Sequence, residues 1–288
     1  MTMGEPWPSG GAEWQQPPGS QGWQGGETLV ELDVFPPEQH RRWTVLLRAL
    51  LVIPQLIALW VLGIAAFVVV VCGWFGALFT GRLPEWCGDF LRGYFSYSTR
   101  VYAYGMLLVD AYPPFAWNPP DYPVRVLFPA PTPLNRLAVL FRLILAFPIL
   151  IFASWLTGGW AVVSFVLWLI VLITGRMPRP VFEATSAVLR AELRTQAYTY
   201  LLTPAYLKGV FGDQTGVPAD ASAEWVPSVP QQSPTRPLLL SRAGQVLLIV
   251  MLILGIVASL LQSVTGTDYD DDSDDYTSAP GTSHIVKL

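Results

Sequence analysis

The feature that most constrains the fold is an internal repeat at a constant offset of 94 residues. The segment Arg42 to Tyr112 aligns without gaps with the segment Arg136 to Tyr206. The matched residues are mostly bulky or charged: Arg42 and Arg136, Arg48 and Arg142, Pro54 and Pro148, Trp74 and Trp168, Arg100 and Arg194, Tyr104 and Tyr198. One ungapped offset over this distance indicates a tandem duplication, which predicts a fold with internal pseudo-symmetry.

The composition places the duplicated unit in a membrane. Hydrophobic residues make up 52% of the chain and charged residues 13%, against about 25% charged residues in an average soluble domain. Each repeat contains an apolar stretch of 37 residues, Trp43 to Phe79 and Leu137 to Ile173. A single crossing needs only about 20 residues. We therefore expect each stretch to contain nearly two crossings.

Glycines near the middle of each apolar stretch suggest where the chain turns. Thr157, Gly158 and Gly159 interrupt the second stretch, and Gly63 lies near the equivalent point of the first. The sequence therefore predicts a helical hairpin in each repeat, with a proline kink in its first helix. A shallow, re-entrant hairpin is the alternative, because the second arm is short for a full crossing.

Two further elements flank each apolar stretch. Before it, Thr28 to Phe35 and Tyr122 to Phe128 alternate apolar and polar residues, which predicts a strand; pairing of the two strands is a hypothesis. After it, Trp86 to Val109 and Val181 to Leu202 are aromatic and basic. A helix with this composition tends to lie in the headgroup plane. Packing against the hairpins as a core helix is the alternative.

The predicted fold is mainly α-helical and membrane-integral. It has two tandem repeats, each with a short β-strand, a transmembrane helical hairpin and an interfacial amphipathic helix, and then one C-terminal transmembrane helix. The predicted segments are a disordered Pro/Gly/Gln/Trp-rich tail (1–27), membrane repeat 1 (28–115), membrane repeat 2 (121–208), a linker (209–237), a C-terminal transmembrane helix (238–261) and an acidic extracytoplasmic tail (262–288).

Basic residues predict the orientation, since Lys and Arg accumulate in cytoplasmic flanks. Arginines flank the apolar stretches, and neither predicted hairpin tip carries one. Both hairpins would then begin and end in the cytoplasm. We expect five crossings of a bacterial plasma membrane, with the N-terminus inside and the Asp-rich segment Asp268 to Asp275 outside.

Patterns for catalysis, metals and cofactors are absent from the sequence. It contains no Gly-x-Ser-x-Gly elbow, Ser-x-x-Lys pair, Walker loop, dinucleotide fingerprint or His-Glu-x-x-His motif. The two cysteines and two histidines lack the spacing of metal ligands. No Asp or Glu lies inside a predicted crossing, which argues against a proton-coupled transporter. We therefore expect no cofactor and no metal site.

The duplicated arginines are the candidate binding residues, because guanidinium groups bind phosphate in a bidentate manner. The predicted pockets for an anionic lipid headgroup are Arg48, Arg82 and Arg100 in the first repeat and Arg142, Arg176 and Arg194 in the second. Snorkelling of Arg48 and Arg142 to the phosphates is one alternative. Ion pairs with Asp89 or Glu183 are another.

The recurring motif Thr-Gly-Arg-x-Pro is interpreted as a helix exit. Gly81 and Gly175 would end the helices, and the prolines that follow would prevent continuation. With the arginine and proline positions named above, this motif order resembles the bacterial domain-of-unknown-function family 4389, in two copies from about Thr28 to Lys208. The resemblance implies an integral membrane protein of the actinobacterial type and no known activity.

The sequence as a whole favours a non-enzymatic integral membrane protein that acts as a scaffold or accessory factor in envelope or lipid handling. Its expected partners are membrane lipids with anionic headgroups and another membrane protein, and not nucleic acid. A membrane-embedded lipid-acting enzyme and a small-solute transporter subunit are the alternatives.

Overall fold

The computed structural model describes residues 29–37, 39–117, 119–212, 235 and 237–267. The predicted amino-terminal tail, most of the predicted linker and the acidic segment Asp268 to Asp275 lie outside the described residues. Within them the chain forms two strands and six helices. In chain order these are β1 (Glu31–Val34), α1 (Arg42–Thr80), α2 (Glu85–Gly105), β2 (Val124–Leu127), α3 (Arg136–Leu140), α4 (Arg142–Thr174), α5 (Arg179–Thr199) and α6 (Arg242–Thr267).

The predicted helical hairpins are wrong, because α1 and α4 are each one continuous helix. Gly63 lies inside α1 and does not turn the chain. Gly159 lies inside α4 and serves a different purpose: a Cβ there would come within 1.6 Å of the Met251 carbonyl oxygen of α6. The glycine therefore permits close helix contact, as small residues do between membrane helices.

Three helices of the described residues are long and apolar enough to cross a membrane, where the sequence predicted five crossings. They span Arg42–Thr80, Arg142–Thr174 and Arg242–Val264. Their outward surfaces are apolar and exposed, with Trp43, Ile57 and Phe165 among the most accessible side chains. Apolar surface of this extent is typical of proteins that contact a membrane.

Both long helices end in the turn that the Thr-Gly-Arg-x-Pro motif predicts. Gly81 and Gly175 adopt left-handed backbone conformations, with φ of 75° and 70°. The hydroxyl groups of Thr80 and Thr174 donate back to the carbonyls four residues earlier. Glycine is favoured at these positions because it adopts positive φ without steric cost.

The two long helices run antiparallel and are joined at both ends by equivalent bonds. The His40 amide donates to the Gly175 carbonyl and the Leu134 amide donates to the Gly81 carbonyl, at 2.9 and 2.8 Å. About two turns further in, an indole hydrogen bond of 2.9 Å joins the two repeats at each end. These bonds join Trp74 Nε1 to the Val139 carbonyl and Trp168 Nε1 to the Val45 carbonyl. Each bond maps onto its partner by the 94-residue offset, in agreement with the predicted pseudo-symmetry.

The two amphipathic helices pack against the long helices, which is the core-helix alternative to the predicted position in the headgroup plane. α2 runs along α1, where Tyr94 approaches Gly63 and Cys87 approaches Gly73. α5 contacts α4, α6 and α2 and is buried along most of its length. The basic side chains of Arg190 and Arg194 in α5 are buried too. These side chains bond to carbonyl groups of the chain, so the arginine face of α5 is turned into the protein.

The two predicted strands pair, and the pairing is centred on the pseudo-symmetry axis. β1 and β2 are antiparallel, with Leu32 opposite Val126, which are themselves related by the 94-residue offset. The strands are exchanged between repeats, since β1 contacts α5 and β2 contacts α2. Thr235, which lies far along the chain, also contacts β1. Its hydroxyl donates to the Leu32 carbonyl at 2.7 Å.

Candidate functional site

The six arginines of the predicted headgroup pockets divide into a buried group and an exposed group. The buried arginines, each 3% exposed, are Arg48, Arg100, Arg142 and Arg194. The exposed ones are Arg82 and Arg176. The two groups make different contacts, which decide what each can bind.

Arg48 binds the end of α2 from inside α1. Its Nη1 donates to the carbonyls of Tyr104 at 2.8 Å and Val109 at 3.1 Å, while Nη2 donates to Asp110 Oδ1 at 2.9 Å. The guanidinium lies 4.4 Å from the centre of the Tyr104 ring. A cation at the carbonyl end of a helix is stabilised by the helix dipole and by the unpaired carbonyls.

Arg142 makes the equivalent contacts in the second repeat. Its Nε donates to the Tyr198 carbonyl at 2.7 Å, and its Nη2 donates to the Thr203 carbonyl. The guanidinium lies 3.7 Å from the centre of the Tyr198 ring. Position 204 is a proline where the first repeat has Asp110. Arg142 therefore stabilises the end of α5 without the carboxylate that Arg48 contacts.

Asp110 is the residue that the sequence interpretation missed. Besides Arg48, it accepts a hydrogen bond from Thr44 Oγ1 at 2.7 Å and lies 3.9 Å from His40 Nδ1. Burial, and next the charge of Arg48, lowers the pKa of His40, so the imidazole is neutral at pH 7. The ion pairs considered for the arginines had involved Asp89 or Glu183, which instead pair with Arg92 and Arg179. No spacing rule marks a loop aspartate as the partner of an arginine 62 residues earlier.

Arg100 and Arg194 hold the segments that follow their helices. Arg100 donates to the carbonyls of Ala116 and Trp117. Arg194 donates to the Val30 carbonyl of β1 at 3.0 Å and to the Lys208 carbonyl at 2.8 Å, and pairs with Glu31 at 3.3 Å. Both side chains therefore fix loops and a strand from within the protein.

Arg82 and Arg176 lie outside the predicted pockets, just beyond the ends of α1 and α4. Arg48 is 32 residues from Thr80 along one continuous helix, about 48 Å at 1.5 Å per residue, and Arg82 lies just beyond the end of that helix. The grouping of Arg48, Arg82 and Arg100 in one pocket is therefore wrong, as is the equivalent grouping in the second repeat. The error follows directly from the hairpin, which would have folded both ends of the apolar stretch together.

Exposed arginines instead meet across the repeats at the two ends of the helix pair. The bond from His40 to Gly175 places Arg41 and Arg42 beside Arg176, and we call these three residues basic end 1. The bond from Leu134 to Gly81 places Arg136 beside Arg82, and we call these two residues basic end 2. All five side chains are exposed.

The basic ends can bind anions, whereas the buried arginines serve as internal supports. Exposed guanidinium groups keep donors available for phosphate or carboxylate oxygens. The four buried arginines already donate to protein carbonyls and have no open face. The described residues contain no group of three or more His, Cys, Asp or Glu side chains placed to hold a metal ion.

Comparison with known proteins identifies the repeats and leaves their activity open. A family model described as "Domain of unknown function (DUF4389)" matches the chain twice, at residues 42–116 and 136–206. The two matches begin 94 residues apart and together cover about half of the chain. No curated protein and no solved structure matches the chain.

Proposed function

The chain belongs to the DUF4389 family through two tandem copies, and we propose that it is a non-enzymatic integral membrane protein whose basic ends contact anionic lipid headgroups. In this role it serves as a scaffold or accessory factor in envelope or lipid handling. The observation that carries the proposal is the position of the exposed arginines. They lie at the ends of helices whose sides are exposed and apolar.

The chemistry of a lipid matches this arrangement of charge and apolar surface. Acyl chains would cover the exposed sides of α1 and α4, and phosphate groups would lie at the helix ends beside Arg42, Arg82, Arg136 and Arg176. Each basic residue near an anionic membrane surface contributes about 1 kcal/mol of attraction. Four such residues would favour anionic over zwitterionic lipids strongly enough for the preference to survive mild detergent.

The buried arginines support the proposal indirectly. Arg48 and Arg142 bind the carbonyl ends of α2 and α5, and each is about one and a half turns from the start of its apolar stretch. They fix the amphipathic helices against the long helices, and a rigid frame keeps the basic ends at a constant separation. A scaffold needs such rigidity, because its binding surfaces must keep their spacing.

The finer localisation remains a prediction. We expect the bacterial plasma membrane, with the N-terminus in the cytoplasm. The five crossings expected from the sequence would place the C-terminus outside.

The test is the lipid that purifies with the protein. The quadruple variant Arg42→Gln, Arg82→Gln, Arg136→Gln and Arg176→Gln should lower the ratio of anionic to zwitterionic lipid by about tenfold or more, since it removes about 4 kcal/mol of attraction in total. The ratio is measured by mass spectrometry after purification in mild detergent. The control is Arg125→Gln, which removes an exposed arginine of β2, away from both basic ends.

Four outcomes of this purification are informative. A fall in the quadruple variant but not in the control supports the lipid contact, and an unchanged ratio contradicts it. A stoichiometric membrane protein that purifies with the wild type supports the scaffold role. Turnover of a lipid by the pure protein would contradict the non-enzymatic role and favour a lipid-acting enzyme.

A further inference from the structure

The long helices are far longer than a membrane crossing requires. α1 has 39 residues and α4 has 33, so they measure about 58 and 50 Å. The hydrocarbon layer is about 30 Å thick, and α1 could span it only at a tilt of about 60°. Membrane helices are tilted by about 20° on average and rarely by more than about 40°.

A proline-rich, largely irregular segment packs against the first half of α1, up to its middle. Residues 106–134 leave the end of α2 near Arg48 and finish at the Leu134 amide, which donates to the Gly81 carbonyl at the far end of α1. On the way, Gln55 Nε2 of α1 donates to the Pro113 carbonyl at 2.8 Å. Trp117 then reaches Gly93 of α2, close to the middle of α1.

This segment could not accompany a helix through a bilayer. Most of it is irregular backbone, and Phe115, Ala116 and Trp117 are exposed beside the middle of α1. Irregular backbone exposed to lipid does not occur inside the hydrocarbon layer, because its polar groups would lose their hydrogen bonds to water. The side of α1 around Gln55, Ala58 and Leu62, which carries this segment, therefore faces water or headgroups.

The second repeat places a carboxylate in the corresponding region of α4. Glu192 of α5 accepts from the hydroxyl of Thr157 at 3.4 Å, and Thr157 lies at the middle of α4. Thr157 is exposed and Glu192 is half-buried. A carboxylate at the centre of a bilayer is energetically costly and rare. A carboxylate on the water-facing side of a helix that lies along the membrane surface carries no such cost.

The opposite side of α1 is one apolar stripe. Trp43, Leu50, Ile57, Ile64 and Val71 follow each other at seven-residue spacing and are between 40% and 77% exposed. Seven residues are close to two helical turns, so these side chains share one face of the helix. Irregular chain that faces water beside the middle of α1, with an apolar stripe on the opposite side, fits a helix that lies along a membrane surface.

We infer that α1 and α4 do not cross the membrane but lie in its cytoplasmic leaflet, with acyl chains of that leaflet covering the apolar stripes. This inference rests on the proposed membrane contact and specifies its geometry. Both basic ends then lie on the same side of the membrane, as the enrichment of arginine in cytoplasmic flanks requires. A crossing would put Arg82 and Arg136 outside.

The arrangement extends to α6 and to the carboxyl terminus. Gly159 approaches Met251, while Trp155 approaches Gly255, so α6 runs antiparallel along α4. If α4 lies in one leaflet, α6 lies beside it. The carboxyl-terminal end of α6 then stays on the cytoplasmic side, in contrast to the orientation expected from the sequence.

Labelling from the two sides of the membrane tests the inference. Gln39 and Thr132 are exposed residues just before the two basic ends, and single Gln39→Cys and Thr132→Cys variants are made in the full chain with Cys72→Ser and Cys87→Ala. A membrane-impermeant maleimide should label neither cysteine in intact cells and both in inverted vesicles. Labelling of either residue in intact cells would overturn the inference.

Depth measurements give a second and independent result. Spin labels on Leu50→Cys, Ile57→Cys, Ile64→Cys and Val71→Cys, in the same cysteine-free background, are placed in vesicles and probed with oxygen and a water-soluble nickel complex. An in-plane helix gives the same depth at all four positions. A crossing helix tilted by about 60° would change depth by about 5 Å per step, which would also overturn the inference. Neither experiment measures lipid preference. The lipid ratio therefore tests the proposed function, while labelling and depth test the position of the helices separately.

Discussion

Arg48 in the first repeat and Arg142 in the second occupy equivalent positions, bind equivalent carbonyls and stack on equivalent tyrosines, yet only Arg48 contacts a carboxylate. Asp110 supplies it, and Pro204 replaces it in the second repeat. The helix-capping contacts were therefore kept in both copies, whereas the charge compensation was not. This comparison teaches that the duplicated arginine acts first through backbone carbonyls.

A second difference concerns what covers the long helices. α6 packs along α4 with glycines at the contact, and the equivalent surface of α1, around Val61 and Ile64, is exposed. Position 65 of α1, which corresponds to Gly159, is an alanine. The two copies therefore share a frame but differ in their lateral packing.

The largest expected effect comes from removing the two arginines separately. Arg48→Met should lower the free energy of unfolding by about 3–5 kcal/mol, because it leaves the largely buried Asp110 without its charge partner. Arg142→Met should cost about 1.5–3 kcal/mol, since it removes only charged hydrogen bonds to carbonyls. Thermal unfolding in detergent measures both. Adding Asp110→Asn should recover part of the loss in Arg48→Met, and equal losses in the two single variants would show that Asp110 contributes nothing.

The next effect concerns the close contact between α4 and α6. Gly159→Ala should cost about 1–3 kcal/mol, because its Cβ would overlap the Met251 carbonyl and force the helices apart. Gly158→Ala is the matched control, since a Cβ at that position meets nothing within 4 Å. The control should be neutral or stabilise by up to about 1 kcal/mol, as alanine does in a helix. A tolerated Gly159→Ala would mean that the two helices are not in close contact.

Substitution of the two matched tryptophans should lower the free energy of unfolding by the same amount in both repeats. Trp74→Phe and Trp168→Phe each remove one indole hydrogen bond to a carbonyl of the opposite repeat, and each should cost about 1 kcal/mol. The sites lie at opposite ends of the helix pair, so the double variant should show the sum of the two losses. Unequal losses would show that the two ends of the pair differ in strength.

The smallest effect is a pH dependence that only the second repeat should show. Burial alone would raise the pKa of Glu183, but hydrogen bonds from Ser241 and Arg179 hold the pKa below its ordinary value. Its stabilising contribution is therefore complete above the unfolded pKa of about 4.3 and is lost as the pH falls through the lower folded value. Thermal unfolding between pH 7 and 3 should show a smaller acid loss in Glu183→Gln than in the wild type.

The control for this pH dependence is the equivalent position of the first repeat. Asp89 is exposed and pairs only with Arg92 one helical turn away, and exposed pairs of this kind contribute little. Asp89→Asn should therefore leave the acid profile unchanged. The same acid loss in Glu183→Gln and in the wild type would assign the profile to other carboxyl groups.

The sequence was informative about the repeat, the strands and the helix ends, because each depends on local patterns. Alternation marked both strands, and the glycine of Thr-Gly-Arg-x-Pro marked both exits at Gly81 and Gly175. The strand pairing was a hypothesis that the observed register of Leu32 with Val126 confirms. These features need no knowledge of what packs against them.

The hairpins and the arginine pockets could not be predicted because they depend on distant partners. Gly158 and Gly159 are compatible both with a turn and with a close helix contact, and only the position of α6 decides between them. The contact from Asp110 to Arg48 and the contact from Ser241 to Glu183 join residues about 60 positions apart. No local period carries information about such contacts.

The exchanged strands have a consequence for biogenesis. β1 is made before every element it contacts, and its partners β2, α5 and Thr235 emerge from the ribosome only after α1 and α2. At about 5–20 residues per second, β1 waits on the order of 10 to 40 seconds for Thr235, which lies 201 residues after Val34. Strand closure is thus a late step, which can be completed only after both copies have been synthesised and have come together.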